Sequence, residues 1–216
     1  MITIITLVSS RDGFEALKRN LINFEPDWKL DVDLLCLVSD KKLYLECRDF
    51  LLDNVNRGEC RVVLGDSLKN GRENIEDKNP YIFILGEGIL VPFGGLTRLY
   101  DMMFDKPQAG FVSGVFKQYP VVYWVKDIYG SPKYIYSNEK TDYDLRMSVD
   151  VAPIHGLLTK TNLYKELFCM SDLDGYGGYS FGIRLRRQGY KNYVDTGVEY
   201  KHRRNNENYH AEGATC

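Results

Sequence analysis

The sequence predicts a single α/β domain with a mostly parallel central sheet flanked by helices. In the first half of the chain, short β-branched or apolar runs alternate with segments whose apolar residues recur at helical spacing. The connections are short, and this alternation is typical of parallel strands joined by right-handed crossovers. The length of 216 residues fits one domain, and 44% hydrophobic with 27% charged residues is an ordinary globular composition.

The first three strands alternate with two helices. The first strand is predicted over residues 2–8, and Asp12 is the predicted N-cap of the helix that follows. The second strand is predicted over residues 30–38 and leads into the second helix, and the third strand covers residues 61–64. The apolar stripes of the two helices are Phe14, Leu17, Leu21 and Ile22, then Leu43, Cys47, Phe50, Leu51 and Val55.

The fourth strand carries the most informative sequence feature. Residues 81–85 are an unbroken apolar run, which predicts a central strand covered on both faces. The run stops at Gly86, Glu87 and Gly88, so a carboxylate follows the strand directly. Because ligands of open α/β sheets bind at the carboxyl ends of strands, Glu87 is a candidate site residue. A turn with a solvated glutamate is the alternative interpretation.

The second half is predicted to mix strands and helices. A helix is expected after Pro92, and Thr161 is expected to cap a later one. In chain order, the predicted elements are a helix at 96–103, strands at 109–116, 119–128 and 149–152, helices at 161–168 and 181–189, and strands at 190–194 and 198–200.

Composition excludes several classes of protein. The net charge of −2 gives no basic field for nucleic acid or an anionic membrane, and no apolar run is long enough to span a bilayer. No signal peptide is recognisable. The five cysteines are odd in number and contain no Cys-x-x-Cys, so we expect neither a disulfide framework nor a zinc site, but a cytoplasmic, reducing compartment. No Gly-x-Gly-x-x-Gly follows the first strand, which disfavours a dinucleotide-dependent dehydrogenase.

Polar loops follow three of the predicted parallel strands, at residues 9–12, 39–40 and 86–88. These loops are expected to gather on one edge of the sheet and to form a ligand site there. Ser9, Arg11 and Asp40 are the candidates for recognising a nucleotide base and ribose. Asp40 is favoured because a carboxylate at a strand end can accept a hydrogen bond from a pyrimidine imide.

The order of these features resembles the GT-A nucleotide-sugar glycosyltransferases, particularly their large family 2. Residues 6–11 (TLVSSR) resemble that family's opening strand and loop, and residues 81–92 with 108–114 (QAGFVSG) look like the stretch around its acidic metal-binding motif. Residues 182–190 (GIRLRRQGY) are similar to its carboxy-terminal helix, and residues 198–202 (VEYKH) to the strand and histidine after it. A fainter resemblance is to members that large DNA viruses encode.

The resemblance implies a sugar transfer from a nucleotide-diphosphate donor, a UDP-sugar, to a glycan or glycoprotein acceptor, with inversion at the anomeric carbon. Residues 1–204 would form the GT-A domain, with a nucleotide-binding half at 1–92 and an acceptor and metal half at 93–204, followed by a polar tail at 205–216. The donor contacts that we expect are Thr6, Val8, Ser9, Arg11, Asp40, Arg72, Leu85, Gly86 and Glu87.

The chain departs from the family pattern at the metal site. The family usually has Asp-x-Asp where this chain has only Glu87 between two glycines. Divalent cations such as Mn²⁺ or Mg²⁺ prefer oxygen ligands, so Glu87 would hold the cation, with His202 as a second ligand. His202 can do so only if residues 201–204 fold back over the site. Otherwise it is an ordinary surface histidine in a basic segment.

A second departure concerns the general base. The family's Glu-Asp before the arginine-rich helix is replaced here by two glycines. Asp174 is the preferred replacement and Asp172 the second choice, because their glycine-rich loop could close over a bound sugar. His155, Gly156 and Tyr176 are expected on the acceptor side. The tyrosine-rich stretch at 119–143 either binds sugar rings or simply reflects strand propensity.

Two other functions stay open from the sequence. A catalytically silent GT-A domain would explain the missing aspartates, and it would bind nucleotide or glycan without transfer. A sugar nucleotidyltransferase shares the nucleotide-binding α/β pattern, although it normally carries a glycine-rich basic loop after its first strand. Residues 9–13 (SSRDG) are a poor version of that loop. The sequence does not indicate an oligomeric state.

Overall fold

The computed structural model describes residues 1–24, 30–55, 58–65, 72–75, 77–116, 122–126, 132–136, 146–149, 152, 154–168 and 177–203. The helices with described bounds are α1 (Arg11–Asn23), α2 (Lys41–Asn54), α3 (Gly95–Asp105), α4 (Thr161–Leu167) and α5 (Gly177–Arg187). The strands are β1 (Ile2–Val8), β2 (Val32–Val38), β3 (Cys60–Leu64), β4 (Tyr81–Leu85), β5 (Ile89–Leu90), β6 (Ala109–Val115), β7 (Val122–Lys126), β8 (Pro132–Tyr136), β9 (Arg146–Val149), β10 (Leu157–Lys160), β11 (Lys191–Glu199) and β12 (Lys201–His202).

Eight of these strands form a mixed, mostly parallel sheet in the order β3-β2-β1-β4-β10-β6-β11-β9. The four strands from β3 to β4 are mutually parallel, as predicted, and β6 is parallel to β11. β10 is antiparallel to both of its neighbours, and β9 is antiparallel to β11. Two small ribbons lie outside the sheet, one of β5 with β12 and one of β7 with β8.

Helices cover both faces of the sheet, because alternate residues of each central strand point to opposite sides. On one face, Ile4 and Cys36 pack with apolar residues of α1, α2 and α3. On the other, Ile5 and Leu37 pack with apolar residues of α4 and α5. The α/β architecture predicted from the alternation is thus confirmed, as a single domain.

Several local predictions are corrected. The N-cap of α1 is Ser10 instead of Asp12, and Ile22 is 68% exposed and does not belong to the apolar stripe. The strand predicted at 149–152 lies earlier, at Arg146–Val149, and β10 was not predicted at all. The two predicted final strands are the single strand β11, followed by β12. The N-cap of α4 is Lys160, and Thr161 is the first helical residue.

Asp33 ties together three segments at the amino-terminal edge of the sheet. Its carboxylate accepts hydrogen bonds from the Glu59 amide at 2.8 Å and from Asn79 Nδ2 at 2.7 Å, and Lys78 Nζ lies 3.3 Å away. Burial alone would raise the pKa of Asp33, but these hydrogen bonds and the Lys78 charge outweigh it and lower the pKa. The ionised form of Asp33 therefore stabilises the folded protein.

This arrangement predicts a pH-dependent part of the stability. Because the folded-state pKa lies below the ordinary value of 3.8, the contribution of Asp33 is present above that value and is lost as the pH falls through the lowered pKa. Urea unfolding across this range should show that Asp33→Asn is less stable than the wild type at neutral pH, and that the difference shrinks in acid. A difference that is constant with pH would contradict the assignment.

None of the helices in the described part of the chain combines the length and the apolarity needed to cross a membrane.

Candidate functional site

The carboxyl ends of β1, β2 and β4 meet at one edge of the sheet, as their parallel pairing requires. Glu87 follows β4 there, and its carboxylate is held by the loop that follows β1. It accepts hydrogen bonds from the Ser9 amide at 3.0 Å, from Ser9 Oγ at 2.5 Å and from Ser10 Oγ at 2.6 Å. Glu87 therefore lies in a turn at the sheet edge, as the alternative interpretation has it, but its carboxylate is hydrogen-bonded to the protein and not simply solvated.

The amino end of α1 is built around this carboxylate. Ser10 caps the helix by accepting from the Gly13 amide at 3.1 Å, while its hydroxyl donates to Glu87. A Cβ at Gly13 would lie 2.4 Å from Glu87 Oε1, so only glycine allows the carboxylate to approach so closely. Burial alone would raise the pKa of Glu87, but the hydrogen bonds from Ser10 and Ser9 outweigh it and lower the pKa. Glu87 is thus an anion at neutral pH.

His202 reaches the same place because the end of the described chain folds back over the turn after β4. In the ribbon of β5 and β12, His202 lies opposite Ile89, and the Arg203 amide donates to the Gly88 carbonyl at 2.9 Å. The cavity that results has a volume of about 130 Å³. Its lining residues are Ser10, Asp12, Gly13, Glu87, Gly88, His202 and Arg203. The fold-back on which a role for His202 depends is present over the described residues 201–203 and places His202 in the lining of the cavity, and its role as a metal ligand stays a prediction.

His155 packs against the same turn, at Gly86. A Cβ at Gly86 would be 2.3 Å from its Nδ1, so the imidazole packs directly on the backbone of the turn. The protein packed around His155 lowers its pKa, and the charge of the neighbouring His202 lowers it further, although the residue remains partly exposed. Two histidines therefore flank Glu87, of which His155 was expected to contact the acceptor.

A larger and more open cavity of about 480 Å³ adjoins the first, and Ser10 lines both. It lies at the carboxyl ends of β1 and β2 and is lined by Ser9, Ser10, Arg11, Asp40, Lys42, Leu43 and Glu46. Ser9, Arg11 and Asp40, which were expected to recognise a nucleotide, thus share one cavity. Arg11 forms an ion pair with Glu46 across it, and Asp40 also caps α2 by accepting from the Leu43 amide at 2.8 Å.

Four of the residues that were expected to contact the donor do not line the two cavities. Thr6, Val8 and Leu85 are at most 3% exposed, so their side chains shape the sheet from inside and do not line the cavity. The family resemblance implied contacts for these residues, but as inward-facing residues near the strand ends they are buried. The guanidinium of Arg72 donates to the carbonyls of Lys165 and Phe168 at the end of α4, where it completes the helix terminus.

Gly156, expected on the acceptor side, is buried beneath Tyr200. Its amide donates to the Ile84 carbonyl at 2.7 Å, and its carbonyl accepts from Tyr200 Oη at 2.5 Å and from Ser113 Oγ at 3.1 Å. The backbone polar groups of Gly156 are already used inside the protein. Its position next to His155 remains its only link to the site.

The remaining predictions lie outside the described residues. These are both candidate bases, Asp172 and Asp174, together with Tyr176 and the tail at 205–216. Most of the tyrosine-rich stretch at 119–143 also lies outside. Their roles stay predictions from the sequence.

Asn20 is a supporting residue that the sequence did not indicate. It is 1% exposed in α1, and its side chain bonds to β5 as a neighbouring strand would. Nδ2 donates to the Ile89 carbonyl at 2.7 Å, and Oδ1 accepts from the Val91 amide at 2.9 Å. Since His202 is paired with Ile89, this clamp supports the ribbon that carries His202. A lone asparagine within a helical pattern gives no signal of such a contact.

Replacement of Asn20 by alanine is expected to destabilise the protein by roughly 2 kcal/mol or more, because each buried polar group left without a partner costs roughly 1–3 kcal/mol. Urea unfolding would measure this loss. Asn54→Ala is the matched control, because Asn54 makes one exposed contact, to the Phe50 carbonyl at the end of α2. Equal effects of the two substitutions would show that the clamp does not support β5.

No family model matches the chain, and no curated protein matches it. Solved structures do resemble it. The 4-diphosphocytidyl-2C-methyl-D-erythritol synthase of Anaerococcus prevotii superposes with a TM-score of 0.58 at 10% identity, over 93% of this chain and 89% of that one. Residues 1–349 of S. aureus TarS superpose with a TM-score of 0.56 at 7% identity, over 90% of this chain but only 57% of the TarS chain. At such identities the likeness shows the fold, which is GT-A-like. It gives no support to the viral resemblance.

Proposed function

We propose that this protein is a glycosyltransferase that moves a sugar from a nucleotide-diphosphate donor, a UDP-sugar, to a hydroxyl group of a glycan or glycoprotein. The observation that carries the proposal is the pair of adjoining cavities at the sheet edge. The open one, with Ser9, Arg11 and Asp40, has room for a nucleoside, and the small one holds Glu87 and His202 beside it. A donor lying across Ser10 would place its diphosphate at the small cavity.

The residues present fit a divalent cation that is completed by its substrate. In the described part of the chain, no three His, Cys, Asp or Glu side chains converge as a metal site. Mg²⁺ sites in nucleotide enzymes commonly use one or two carboxylates together with substrate phosphates and water, so a full set of protein ligands is not required. Glu87 is ionised and His202 lines the same cavity. Mn²⁺ or Mg²⁺ bound there would supply positive charge to the leaving diphosphate.

The chain's own groups would do the rest of the chemistry. In the transfer, the bond between the anomeric carbon and the diphosphate breaks, and the acceptor oxygen forms the new bond on the opposite face of the sugar. The acceptor hydroxyl gives its proton to a carboxylate, for which Asp174 is the first candidate and Asp172 the second. His155 packs on Gly86 at the edge of the site, where it would contact the acceptor.

Calorimetric titration of UDP, GDP and their common sugars, each with Mn²⁺ and with EDTA, tests this function. We expect one nucleotide family to bind, and to bind more tightly with Mn²⁺. Release of free sugar or its transfer to an added acceptor would then distinguish an enzyme from a silent binding domain. Absence of binding under every condition would overturn the proposal.

The position of the general base gives a separate prediction. Asp174→Asn is expected to leave nucleotide binding unchanged and to suppress sugar transfer, because the substitution removes a proton acceptor and no donor contact. Steady-state kinetics of transfer, together with calorimetry of the same sample, would show this separation. Full activity of Asp174→Asn would move the role to Asp172, for which Asp172→Asn is the matched variant.

The site supports synthesis of a nucleotide sugar less well than it supports sugar transfer. A nucleotidyltransferase must bind a triphosphate through donors of the loop after its first strand. In this chain the Ser9 amide and the hydroxyls of Ser9 and Ser10 already donate to Glu87, which is itself an anion. These donors are therefore occupied by an internal carboxylate, whereas a nucleotidyltransferase would need them for the phosphates of its triphosphate substrate.

A further inference from the structure

An irregularity in β11 precedes the segment that carries His202. Val194 lies opposite Ser113 of β6, but Glu199 lies opposite Val115. Between these two pairs β11 advances by five residues while β6 advances by two. Relative to β6, residues 195–198 form a bulge, while Asp195 still pairs with Arg146 of β9 on the other side of the strand. Because each extra residue changes the face and direction of the strand beyond it, the bulge determines where the chain goes after β11.

An ion pair between the buried Asp195 and the partly exposed Arg98 holds this bulge against α3. Asp195 is 0% exposed, and its Oδ2 accepts from Arg98 Nε at 2.8 Å. Its Oδ1 accepts from the Gly197 amide at 2.8 Å, so one carboxylate fixes both the turn of the bulge and its contact with the helix. A Cβ at Gly197 would lie 2.4 Å from Arg98 Nη2, which shows how closely the guanidinium lies against the bulge.

The chain passes from the bulge to the site in a few residues. Tyr200 is fully buried, and its hydroxyl donates to the Gly156 carbonyl and accepts from the Gly114 amide at 3.0 Å. β12 follows at once and brings His202 beside Glu87. The direction in which β12 leaves the sheet is therefore set by the bulge on one side and by Tyr200 on the other.

We propose that Arg98 and Asp195 are positioning residues for His202, acting through the bulge of β11. The consequence for donor binding rests on the proposed function, whereas the position of His202 does not. Groups that are hydrogen-bonded directly to metal ligands typically contribute about 10–100-fold to metal affinity or activity. Arg98 and Asp195 act on His202 through the bulge, so we expect an effect at the lower end of that range.

The test uses Arg98→Leu, Arg98→Lys and Asp195→Asn in the full chain, with Arg48→Leu as control. Arg48 pairs with Asp49 on the exposed face of α2, so its replacement also removes an arginine from an ion pair. The first readout is the imidazole NMR signal of His202 in histidine-labelled protein. The chain has 3 histidines, and His202→Gln assigns the signal. The second readout is the dissociation constant of UDP with Mn²⁺, and thermal unfolding shows that each variant is folded.

We expect Arg98→Leu to shift the His202 signal and to weaken UDP binding by roughly ten-fold or more, the lower end of that range. Arg98→Lys should recover part of both effects, and Arg48→Leu should change neither.

A lower unfolding temperature with an unchanged His202 signal would overturn the proposal and leave the pair a structural role. If Arg98→Leu does not fold, Arg98→Lys and Asp195→Asn decide by the same criterion. If UDP does not bind even the wild type, the proposed function fails, and the His202 signal still decides on the positioning.

Discussion

Glu87→Gln is expected to abolish the gain in UDP affinity that Mn²⁺ gives the wild type. The amide nitrogen of glutamine cannot accept the hydrogen bonds that the carboxylate takes from Ser9 and Ser10, and the neutral side chain is a poor ligand for a hard cation. The affinity of the variant with Mn²⁺ should therefore equal its affinity with EDTA. Calorimetry under the two conditions measures this directly.

Two controls distinguish the loss of a metal ligand from a disturbance of the loop after β1 that holds Glu87. Asp33→Asn is the same exchange of carboxylate for amide at the opposite edge of the sheet, where it should leave nucleotide binding unchanged. Ser10→Ala removes the cap of α1 and one donor to Glu87 but keeps the carboxylate. We expect it to keep a response to Mn²⁺. A response that persists in Glu87→Gln would remove Glu87 from the metal site.

The sequence predicted the parallel half of the sheet well, because that half depends on strong local patterns. β1 is a mostly β-branched run and β4 an unbroken apolar run, and the polar residues that stop them mark the edge where open α/β sheets bind ligands. Glu87 could be found in this way from its place in the chain. Its bonds to Ser9 and Ser10 could not, since they join residues 77 and 78 positions apart that only the fold brings together.

The antiparallel part was missed for a physical reason. β10 has four residues, begins directly after Gly156 and ends at the N-cap of α4. It is therefore too short for the alternation of inward- and outward-facing side chains that identifies a strand to be recognised in the sequence. It is nevertheless central, between β4 and β6. The bulge of β11 was likewise interpreted as a break between two strands. Asp195 and Gly197 resemble turn residues, and the partner that explains them, Arg98, lies on a distant helix.

The site depends on this unpredicted part as much as on the predicted one. The parallel strands bring Glu87, Ser9 and Asp40 to one edge, which is the nucleotide side of the proposal. His155 and His202 come from segments that follow β9 and β11, and both are fixed through Tyr200 and its neighbours. The proposed metal and acceptor side therefore rests on packing around Tyr200, where a small change should have a large effect.

Gly156→Ala is expected to be the most destabilising of the substitutions considered. The residue has a φ of +83°, and a Cβ there would lie 2.3 Å from Cε2 of the fully buried Tyr200 ring. A left-handed conformation costs a non-glycine residue roughly 1–2 kcal/mol. Overpacking of a core typically costs a further 1–3 kcal/mol or so. A loss of about 2–5 kcal/mol in the free energy of unfolding should follow, measurable by urea denaturation.

Gly189→Ala isolates the steric part of this effect. Gly189 has nearly the same φ, +86°, but among the described residues, its chain neighbours apart, nothing lies within 4 Å of the position of its Cβ. It should lose only the cost of the left-handed conformation, and the difference between the two variants measures the clash with Tyr200. Where Gly156→Ala still folds, the displaced ring should move β12 and weaken UDP binding, whereas Gly189→Ala should not. Equal losses of stability in the two variants would show that the Tyr200 ring yields without cost. Unchanged UDP binding by a folded Gly156→Ala would show that the position of His202 does not depend on that ring.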